Sequence, residues 1–549
     1  MLRLHLCAAL ASLTLSAQYY DFAADDKGTL YFSTTLTTGP EDARSKIFKL
    51  TPSGLQLHKT GTGNQASGNQ VFSPITSGDG SITGYALAEP CRTGSCGISG
   101  LPRSAIFFDG LTLNDFGFTS AQISRNARYI LGAAFGARQF LAVLPSQERI
   151  EMPDLHTAAG RQAVANDGSV VLLDYRPYPA NTLSFLPFRG EPITIAGSSN
   201  AIGAAISPDG TRVVFERTTE TTLDLILTGT DGSNAILVAS TPRDPRFRYQ
   251  PAFANDGTLL YLNGSSRPKI LTPDGDSRLL TDRPIVTATI SGDGQIAWLA
   301  TSQGQILRVQ TADASVSEAI PETPFLLVSG GYAAPGSVVR FNGSGISSRT
   351  VVELGGEKLG FSETSGQTVA VQIPWEYDPA SGPRQFVIHG PDSPFFQRGD
   401  FSPLVYPVIT FERDLTLNEP QIAHQDFRGR VTRDDPAVPG ETVHIFARNL
   451  GPVDQPLRTG QRSPTSPPAR ITTPLACYIV EVNQILSVIR AQGMEVPFAG
   501  LTGGSIGIYQ IDVTIPRDWN VAAPYIQCRY DPVGVVARQD SAPIAVKVP

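Results

Sequence analysis

Histidine, methionine and cysteine are scarce in this chain of 549 residues, which contains 6 His, 3 Met and 5 Cys. Beyond the first residues the histidines are His58, His156, His389, His424 and His444. No two of them have the i, i+2 or i, i+4 spacing typical of metal ligands, and no phosphate-binding or dinucleotide-binding glycine motif occurs. We therefore expect no metal site and no cofactor.

Two histidines have neighbours that bear on function. His424 and Asp426 lie in a polar segment, residues 421–429, where a metal or acid–base role is conceivable. His444 alternates with apolar residues, which is typical of a strand residue with a hydrogen-bond partner.

Long basic runs and long apolar runs are also missing. Lys and Arg total 43 against 50 Asp and Glu, a net charge of −7, which argues against nucleic acid as a partner. No stretch beyond the start approaches the 18 apolar residues of a membrane helix, so we expect no membrane span. Residues 1–17 combine Arg3, an apolar run to Leu15 and the small residues Ser16 and Ala17. This pattern predicts a secretory signal peptide and a periplasmic, cell-surface or extracellular location.

Four cysteines remain once Cys7 is removed with the signal peptide. An even number in an exported chain favours disulfides, and we pair Cys91 with Cys96 and Cys477 with Cys528. A metal site is the alternative, but no histidine lies near either pair at zinc-ligand spacing.

A recurring turn phrase is the strongest positive signal. Its clearest copy is Ser207–Phe215, in which Pro208-Asp209-Gly210 predicts a tight turn before the β-forming residues Val213, Val214 and Phe215. Related phrases place the residue after the turn Asp, Lys or Asn at positions 28, 80, 127, 168, 210, 257 and 294, in steps of 52, 47, 41, 42, 47 and 37. Seven strand-like units at this period predict a seven-bladed β-propeller over residues 19–320.

These repeats resemble those of TolB-type propellers. The match is good at Ser207–Phe215, fair at Asn255–Tyr261 and Ser291–Trp298, and loose elsewhere. We interpret the turn residues Asp79, Asp167, Asp209, Asp256 and Asp293 as structural, because Asp in such turns bonds its own backbone. We further expect a strand near residues 19–23 to complete the last blade, and we interpret residues 311–323 as a linker.

After residue 325 the pattern changes to short alternating strands with Gly and Pro turns. Pro335-Gly336 and Pro439-Gly440 begin two related segments, which end in Ile373-Pro374 and Ile515-Pro516. This predicts two immunoglobulin-like β-sandwiches, residues 325–410 and 411–549, so that the whole chain is all-β.

The last segment resembles the immunoglobulin-like C-terminal domain of many exported acidobacterial proteins. The matching motifs are Val438-Pro439-Gly440, Asn449-Leu450-Gly451, Phe498-Ala499-Gly500, Gly507–Ile511 and Ile515-Pro516, and Gln372–Glu376 resembles the earlier half of that family. The resemblance implies export and a surface context, without an activity.

One hydrolase-like motif needs an interpretation. Gly503-Gly504-Ser505-Ile506-Gly507 fits the G-x-S-x-G nucleophile pattern, but a predicted strand follows it and no histidine lies downstream. We interpret Ser505 as part of a glycine-rich turn and assign no catalytic residue.

The sequence favours an exported, non-catalytic binding protein that presents a propeller face to an unknown protein, peptide or glycan. A propeller-class glycan lyase or hydrolase with its site at the channel mouth is the first alternative. A structural component of a surface assembly is the second. A mouth with two or more carboxylates beside an Arg, His or Tyr would favour the enzyme.

Overall fold

A computed structural model describes most of the chain. The described residues are 19–34, 46–61, 70–88, 104–109, 111, 118–134, 139–144, 146–152, 163–174, 181–245, 247–326, 332–359, 362–365, 368–378, 384–390, 392–403, 409–412, 421–482, 488–530 and 541–547. They contain strands and no helix. None of their elements is therefore a helix long and apolar enough to cross a membrane. Two compact units divide the chain: unit 1 runs up to Phe325 and adds His389–Gln397, and unit 2 takes Leu326–Ile388 and Arg398–Pro549.

The described residues of unit 1 form seven small antiparallel sheets that follow one another along the chain. Within each sheet the strands pair in chain order, and the residues that the structure describes give four strands in six sheets and three in the second. Sheets 1 to 4 are formed by β1 Tyr19–Ala24, β2 Leu30–Thr34, β3 Lys46–Thr51 and β4 Gly54–Thr60; β5 Gln70–Thr76, β6 Thr83–Ala88 and β7 Ser104–Asp109; β8 Phe118–Ile123, β9 Tyr129–Ala134, β10 Gln139–Val143 and β11 Glu148–Glu151; and β12 Ala163–Val164, β13 Val170–Asp174, β14 Thr182–Leu186 and β15 Ile193–Thr194.

Sheets 5 to 7 repeat the same order of strands. They are formed by β16 Ala201–Ile206, β17 Arg212–Thr218, β18 Thr222–Gly229 and β19 Ile236–Pro242; β20 Ala252–Phe253, β21 Leu259–Leu262, β22 Pro268–Leu271 and β23 Ser277–Leu279; and β24 Ile285–Ile290, β25 Ile296–Thr301, β26 Ile306–Gln310 and β27 Val316–Ile320.

The first strands of the seven sheets contact one another in a closed ring. The order of contacts is β1, β5, β8, β12, β16, β20, β24 and again β1. Small sheets arranged radially around a common axis, with their first strands innermost, make a β-propeller. The β-propeller predicted for unit 1 is therefore confirmed.

Burial within each sheet follows from that arrangement. The second strands β2, β13, β21 and β25 are buried along nearly their whole length. A neighbouring sheet covers each of their faces, so both faces of the strand need apolar residues. The outermost strand β4 is partly exposed and β27 largely exposed, and both carry a charged side chain, which protects a free sheet edge from pairing with other chains.

Two details predicted for this region are wrong. β1 was expected to complete the last sheet, but it pairs with β2 and belongs to the first. Residues 311–323 were expected to form a linker, but β27 Val316–Ile320 pairs with β26 as the outer strand of sheet 7. The small polar residues 311–315 misled the interpretation because they form the turn before that strand, where the Ser315 amide donates to Asp313.

Side-chain packing therefore joins the first and last sheets. Phe32 and Phe48 of sheet 1 share one core with Ile296 and Trp298 of sheet 7. Phe395, from the segment of unit 1 that lies late in the chain, is fully buried in the same core, with its ring 5.0 Å from that of Phe48. The aromatic contacts and the buried apolar area substitute for the strand exchange that the sequence had suggested.

The described part of unit 2 also contains strands and no helix. Its first two sheets are β28 Phe325–Leu326, β30 Val338–Ser344, β34 Thr368–Gln372 and β33 Ser362–Ser365, and β29 Tyr332–Ala333, β36 Phe396–Pro403, β35 Arg384–His389, β31 Val351–Leu354 and β32 Glu357–Lys358. The third contains β37 Thr410–Phe411, β38 Ile422–Ala423, β39 Thr442–Arg448, β40 Leu475–Val482, β41 Val488–Leu501, β42 Tyr509–Thr514, β43 Tyr525–Tyr530 and β44 Ser541–Pro543.

The long strand β41 lets the third sheet form two layers. Its first half pairs with β40 and its second half with β42, with an irregularity between Glu495 and Phe498. Alternate residues of β42 are buried, and Ile511 lies in one core with Ile445 and Ile526. This period of two is that of a strand with one face toward a core.

Cys477 and Cys528 form a disulfide between directly paired residues of β40 and β43. Residues 1–17 and the pair Cys91 and Cys96 lie outside the described residues, so the signal peptide and the second disulfide stay predictions.

Hydrogen bonds tie the two predicted sandwich segments together within unit 2. The Asn449 side chain accepts from the Ala334 amide at 3.2 Å, and the Asn449 amide donates to Ser337 Oγ at 3.1 Å. The Trp375 amide donates to Thr459 Oγ1 at 3.0 Å. Two of the motifs behind the family resemblance, those that contain Asn449 and Trp375, thus join the two segments.

Candidate functional site

The recurring turn phrase forms the tight turn that its residues predict. In the copy at Ser207–Phe215, Asp209 Oδ1 accepts from Ser207 Oγ at 2.5 Å and from the Thr211 amide at 3.1 Å, and Gly210 has φ +75°. Burial acts to raise the pKa of Asp209, but these hydrogen bonds outweigh it and hold the pKa below its ordinary value. Asp79, Asp167, Asp256 and Asp293 accept in the same way. Their structural role is confirmed.

The residue just before each turn Asp, Lys or Asn occupies what we call the axial position. The seven axial residues are Asp26, Gly78, Arg125, Asn166, Pro208, Asn255 and Gly292. Five of their amides donate to a carbonyl oxygen of the next sheet: Asp26 N to Gly78 O 2.6 Å, Gly78 N to Arg125 O 2.7 Å, Asn166 N to Pro208 O 2.8 Å, Asn255 N to Gly292 O 2.7 Å, and Gly292 N to Asp25 O 3.2 Å.

Side chains bridge the two remaining junctions. Pro208 has no amide hydrogen to donate, and Arg212 Nη2 instead donates to Gly257 O at 2.8 Å, from sheet 5 to sheet 6. Between sheets 3 and 4, Asn126 Nδ2 donates to Asn166 O at 2.6 Å. The seven axial residues and these bridges form a continuous hydrogen-bonded circuit, here called the axial ring.

Arg125 spans the ring. Its Nη1 donates to Ala24 O at 2.9 Å and lies 3.4 Å from Asp26 Oδ1. Its Nη2 donates to Phe253 O at 3.3 Å and Ile290 O at 3.2 Å. Burial lowers the pKa of the guanidinium, and the nearby carboxylates, Asp26 foremost, act in the opposite direction. One cation thus binds backbone oxygens of sheets 1, 6 and 7.

Glycine is required on both sides of the Asp26 carboxylate. A Cβ on Gly292 would lie 1.5 Å from Asp26 Oδ1 and 3.0 Å from Arg125 Nη1, and a Cβ on Gly78 would lie 2.5 Å from Asp26 Oδ2. Real Cβ atoms do not approach other atoms so closely. The absence of side chains at these two axial positions therefore makes room for the ion pair.

The end of the propeller that carries the axial ring also carries carboxylates beside an Arg, the combination that would favour an enzyme. Asp25, Asp26 and Arg125 place two carboxylates beside an Arg. However, Asp25 Oδ1 accepts from the Lys27 and Thr29 amides, and both terminal nitrogens of Arg125 are hydrogen-bonded. These groups hold the ring together, which indicates a structural role for the ion pair.

The opposite end of the propeller carries the connections between second and third strands and between successive sheets. Many of these connections lie outside the described residues. In the described part, the Tyr249 amide donates to the buried Glu216 at 2.6 Å, and the Tyr249 hydroxyl donates to Leu223 O at 2.7 Å. These bonds fix the segment beside Arg248, whose side chain remains 41% exposed.

The other residues considered from sequence have local partners. Ser505 Oγ donates to Thr502 O at 2.6 Å in a turn before β42, as expected for a structural serine. His424 Nδ1 lies 2.7 Å from Glu441, and His444 Nδ1 lies 2.6 Å from Asp512. Asp426 accepts from the Arg428 amide at 3.0 Å. The described residues bring no group of three or more His, Cys, Asp or Glu into a metal-binding arrangement.

Sequence reasoning missed Arg125. It occurs in the irregular copy Ser124-Arg125-Asn126-Ala127, where the other axial positions hold Gly, Pro, Asn or Asp. A single Arg at the repeat position that faces the axis was the available signal.

Comparisons with known proteins add no family. No family model and no curated protein matches the sequence. Among solved structures, the propeller domain of the Trilobed protease from Pyrococcus furiosus is 12% identical with a TM-score of 0.36, covering 56% of this chain and 99% of that one. A Mycobacterium tuberculosis puromycin-hydrolyzing peptidase is 13% identical with a TM-score of 0.37, covering 56% and 53%.

A nidogen/laminin complex matches at 10% identity and a TM-score of 0.28, over 54% of this chain and 91% of that one. Likenesses this distant carry no functional argument, and the propeller assignment rests on the ring of sheets itself.

Proposed function

We propose that this chain is an exported, non-catalytic binding protein. In it, a seven-bladed propeller recognises a protein, peptide or glycan, and immunoglobulin-like sandwiches in unit 2 act as a spacer. The axial ring is the observation that carries the proposal. Because hydrogen bonds within the protein engage its donors and Arg125 spans the axis, a ligand has to approach from the opposite end.

The seven sheets in ring contact support the blade number, since each innermost strand touches the next. The two-layered sheet around β41 supports an immunoglobulin-like arrangement of the last segment. The disulfide between Cys477 and Cys528 supports an oxidising, exported location, as the sequence of residues 1–17 does.

The experiment is a glycan and peptide array probed with the full chain. The excised propeller would lack Phe395, which is part of the unit 1 core, so the full chain is required. Variants then locate the site. Arg248→Ala, at the end opposite the axial ring, should weaken binding of the selected probe, whereas Lys27→Ala, in an axial turn, should leave it unchanged. Loss of binding on Lys27→Ala alone, or no probe retained by the full chain, would overturn the proposal.

The propeller enzyme remains a second candidate because Asp25, Asp26 and Arg125 lie together. Asp26→Asn distinguishes the two functions. Turnover of polysaccharide substrates by the full chain, abolished in this variant without a change in melting temperature, would favour the enzyme.

A further inference from the structure

One exposed aromatic residue in unit 2 has an unusual backbone conformation. Phe427 lies in the loop that joins His424 to Gly429 and has φ +57°. This left-handed region is uncommon for residues other than glycine, and a bulky side chain there is strained. Strain of this kind persists where the surrounding structure imposes it, and it is concentrated at functional sites.

The surrounding structure does hold Phe427 in place. Its ring stacks on the imidazole of His444, with centroids 4.0 Å apart and an interplanar angle of 2°. Its amide donates to His424 O at 2.9 Å, and the His424 amide donates to Gly429 O at 3.1 Å, closing the loop.

Both histidines beneath the loop are fixed in turn. The buried His424 bonds to Glu441, whose carboxylate also accepts from the Val438 amide at 2.9 Å. The imidazole of His444 lies between Asp512, which contacts Nδ1, and the Gln425 carbonyl oxygen, which lies 2.9 Å from Nε2. The ring is therefore held rigidly and loses little conformational freedom if it binds a partner.

Phe427 is also the one aromatic side chain among the exposed large hydrophobic residues of the described chain; the other eight are Val, Leu or Ile. It is 56% exposed although His444 covers one face, so the outer face is open to solvent. When a flat apolar ligand covers such a surface, both are removed from water and the free energy of the system falls.

Charged residues flank Phe427 in the sequence. Asp426 is exposed and precedes the ring in the chain. Arg428 follows it and is 49% exposed, with Nη2 2.9 Å from His424 Nδ1 and 3.4 Å from Asp435 Oδ1, and its other guanidinium donors are available to a ligand. A carboxylate and a guanidinium beside an open aromatic face can hydrogen-bond hydroxyl groups while C–H groups cover the ring.

We propose that the Phe427 face is a saccharide-binding site, in which the apolar face of a pyranose ring stacks on Phe427 and its hydroxyls bond to Asp426 and Arg428. The site is independent of the one proposed for the propeller. An apolar peptide segment is disfavoured as the occupant because charged groups border the ring on both sides in sequence.

Calorimetric titration of the full chain tests the proposal with cellohexaose, xylohexaose, mannohexaose, chitohexaose and decaproline as probes. Phe427→Tyr keeps the aromatic face, Phe427→Leu keeps apolar volume without it, and Phe427→Gly removes both while relieving the backbone. At least one hexasaccharide should bind to the wild type and to Phe427→Tyr, and about tenfold or more weakly to the Leu and Gly variants.

Melting temperatures separate binding from folding. Phe427→Leu should retain the wild-type value within a few degrees, so that its loss of affinity reports on the ring. Binding of no hexasaccharide, binding of decaproline alone, or equal affinity of the wild type and Phe427→Leu would each overturn the saccharide site.

Discussion

Arg125 Nη2 donates to the carbonyl of Ile290, 165 residues further along the chain, at 3.2 Å. The same guanidinium bonds to Ala24 O, so one side chain of sheet 3 holds the first and last sheets of the ring. No described strand is exchanged across this junction, where the Arg125 bonds, the axial ring and the shared aromatic core hold the two sheets together.

Replacing Arg125 by Met should destabilise unit 1 by about 3 kcal/mol, because buried carbonyls and Asp26 lose their charged donor. Equilibrium denaturation in urea measures the loss. Arg128→Met, at an exposed position of the same turn, is the matched control and should change stability by less than about 0.5 kcal/mol. Equal effects of the two substitutions would show that Arg125 is an ordinary surface residue.

Gly292→Ala should cost about 2 kcal/mol, because its Cβ would occupy the space of the Asp26 carboxylate. Removing that carboxylate should relieve the clash, so Asp26→Ala with Gly292→Ala is expected to be more stable than Gly292→Ala alone. Gly203→Ala is the control, since its Cβ would meet only Glu216 Oε2 at 3.8 Å. If the double variant is no more stable than Gly292→Ala in urea denaturation, the steric explanation fails.

Phe395→Ala should cost about 3–5 kcal/mol and loosen the junction of sheets 1 and 7, because it leaves a cavity beside the stacked rings of Phe32 and Phe48. Hydrogen exchange followed by mass spectrometry should show that the variant exchanges faster than the wild type in β1 and β24, with a smaller increase in β16. Leu57→Ala on the exposed strand β4 serves as the control. Unchanged exchange at the junction would indicate that Phe395 is not part of the closure.

The repeat was predictable because its period of about 40–50 residues and its turn residues can be recognised in short segments of the sequence, such as Ser207–Phe215. The axial ring was not, because Arg125 and Ile290 meet only when all the sheets have closed. The position of Phe395 could not be predicted for the same reason. Nothing in its local sequence indicates that it packs in a core formed by residues far upstream, such as Trp298. The turn after residue 311 resembled a linker because local composition does not report strand pairing.

Glu441 should make unit 2 sensitive to acid. Burial acts to raise the pKa of this carboxyl, but hydrogen bonds from the Val438 amide and His424 outweigh it and lower the pKa below its ordinary value. A lowered folded-state pKa contributes stability that is present above the unfolded-state value, about 4.3, and is lost as the pH falls through the folded-state value.

Urea denaturation between pH 3 and pH 7 tests this expectation. Glu441→Gln should lower stability at pH 7 and flatten its decline below about pH 4.3, whereas Glu495→Gln, on the exposed part of β41, should keep the wild-type slope. An unchanged slope in Glu441→Gln would contradict the assignment.

Hydrogen exchange at single-residue resolution tests the axial ring most directly. The amides of Asp26, Gly78, Asn166, Asn255 and Gly292 occupy turns, yet each donates to a carbonyl of a neighbouring sheet. We predict that these five amides exchange as slowly as those of the buried strand β25, and far more slowly than the exposed turn amide of Asp274. Exchange of the five at the rate of Asp274 would contradict a closed ring, and with it the conclusion that ligands approach from the opposite end.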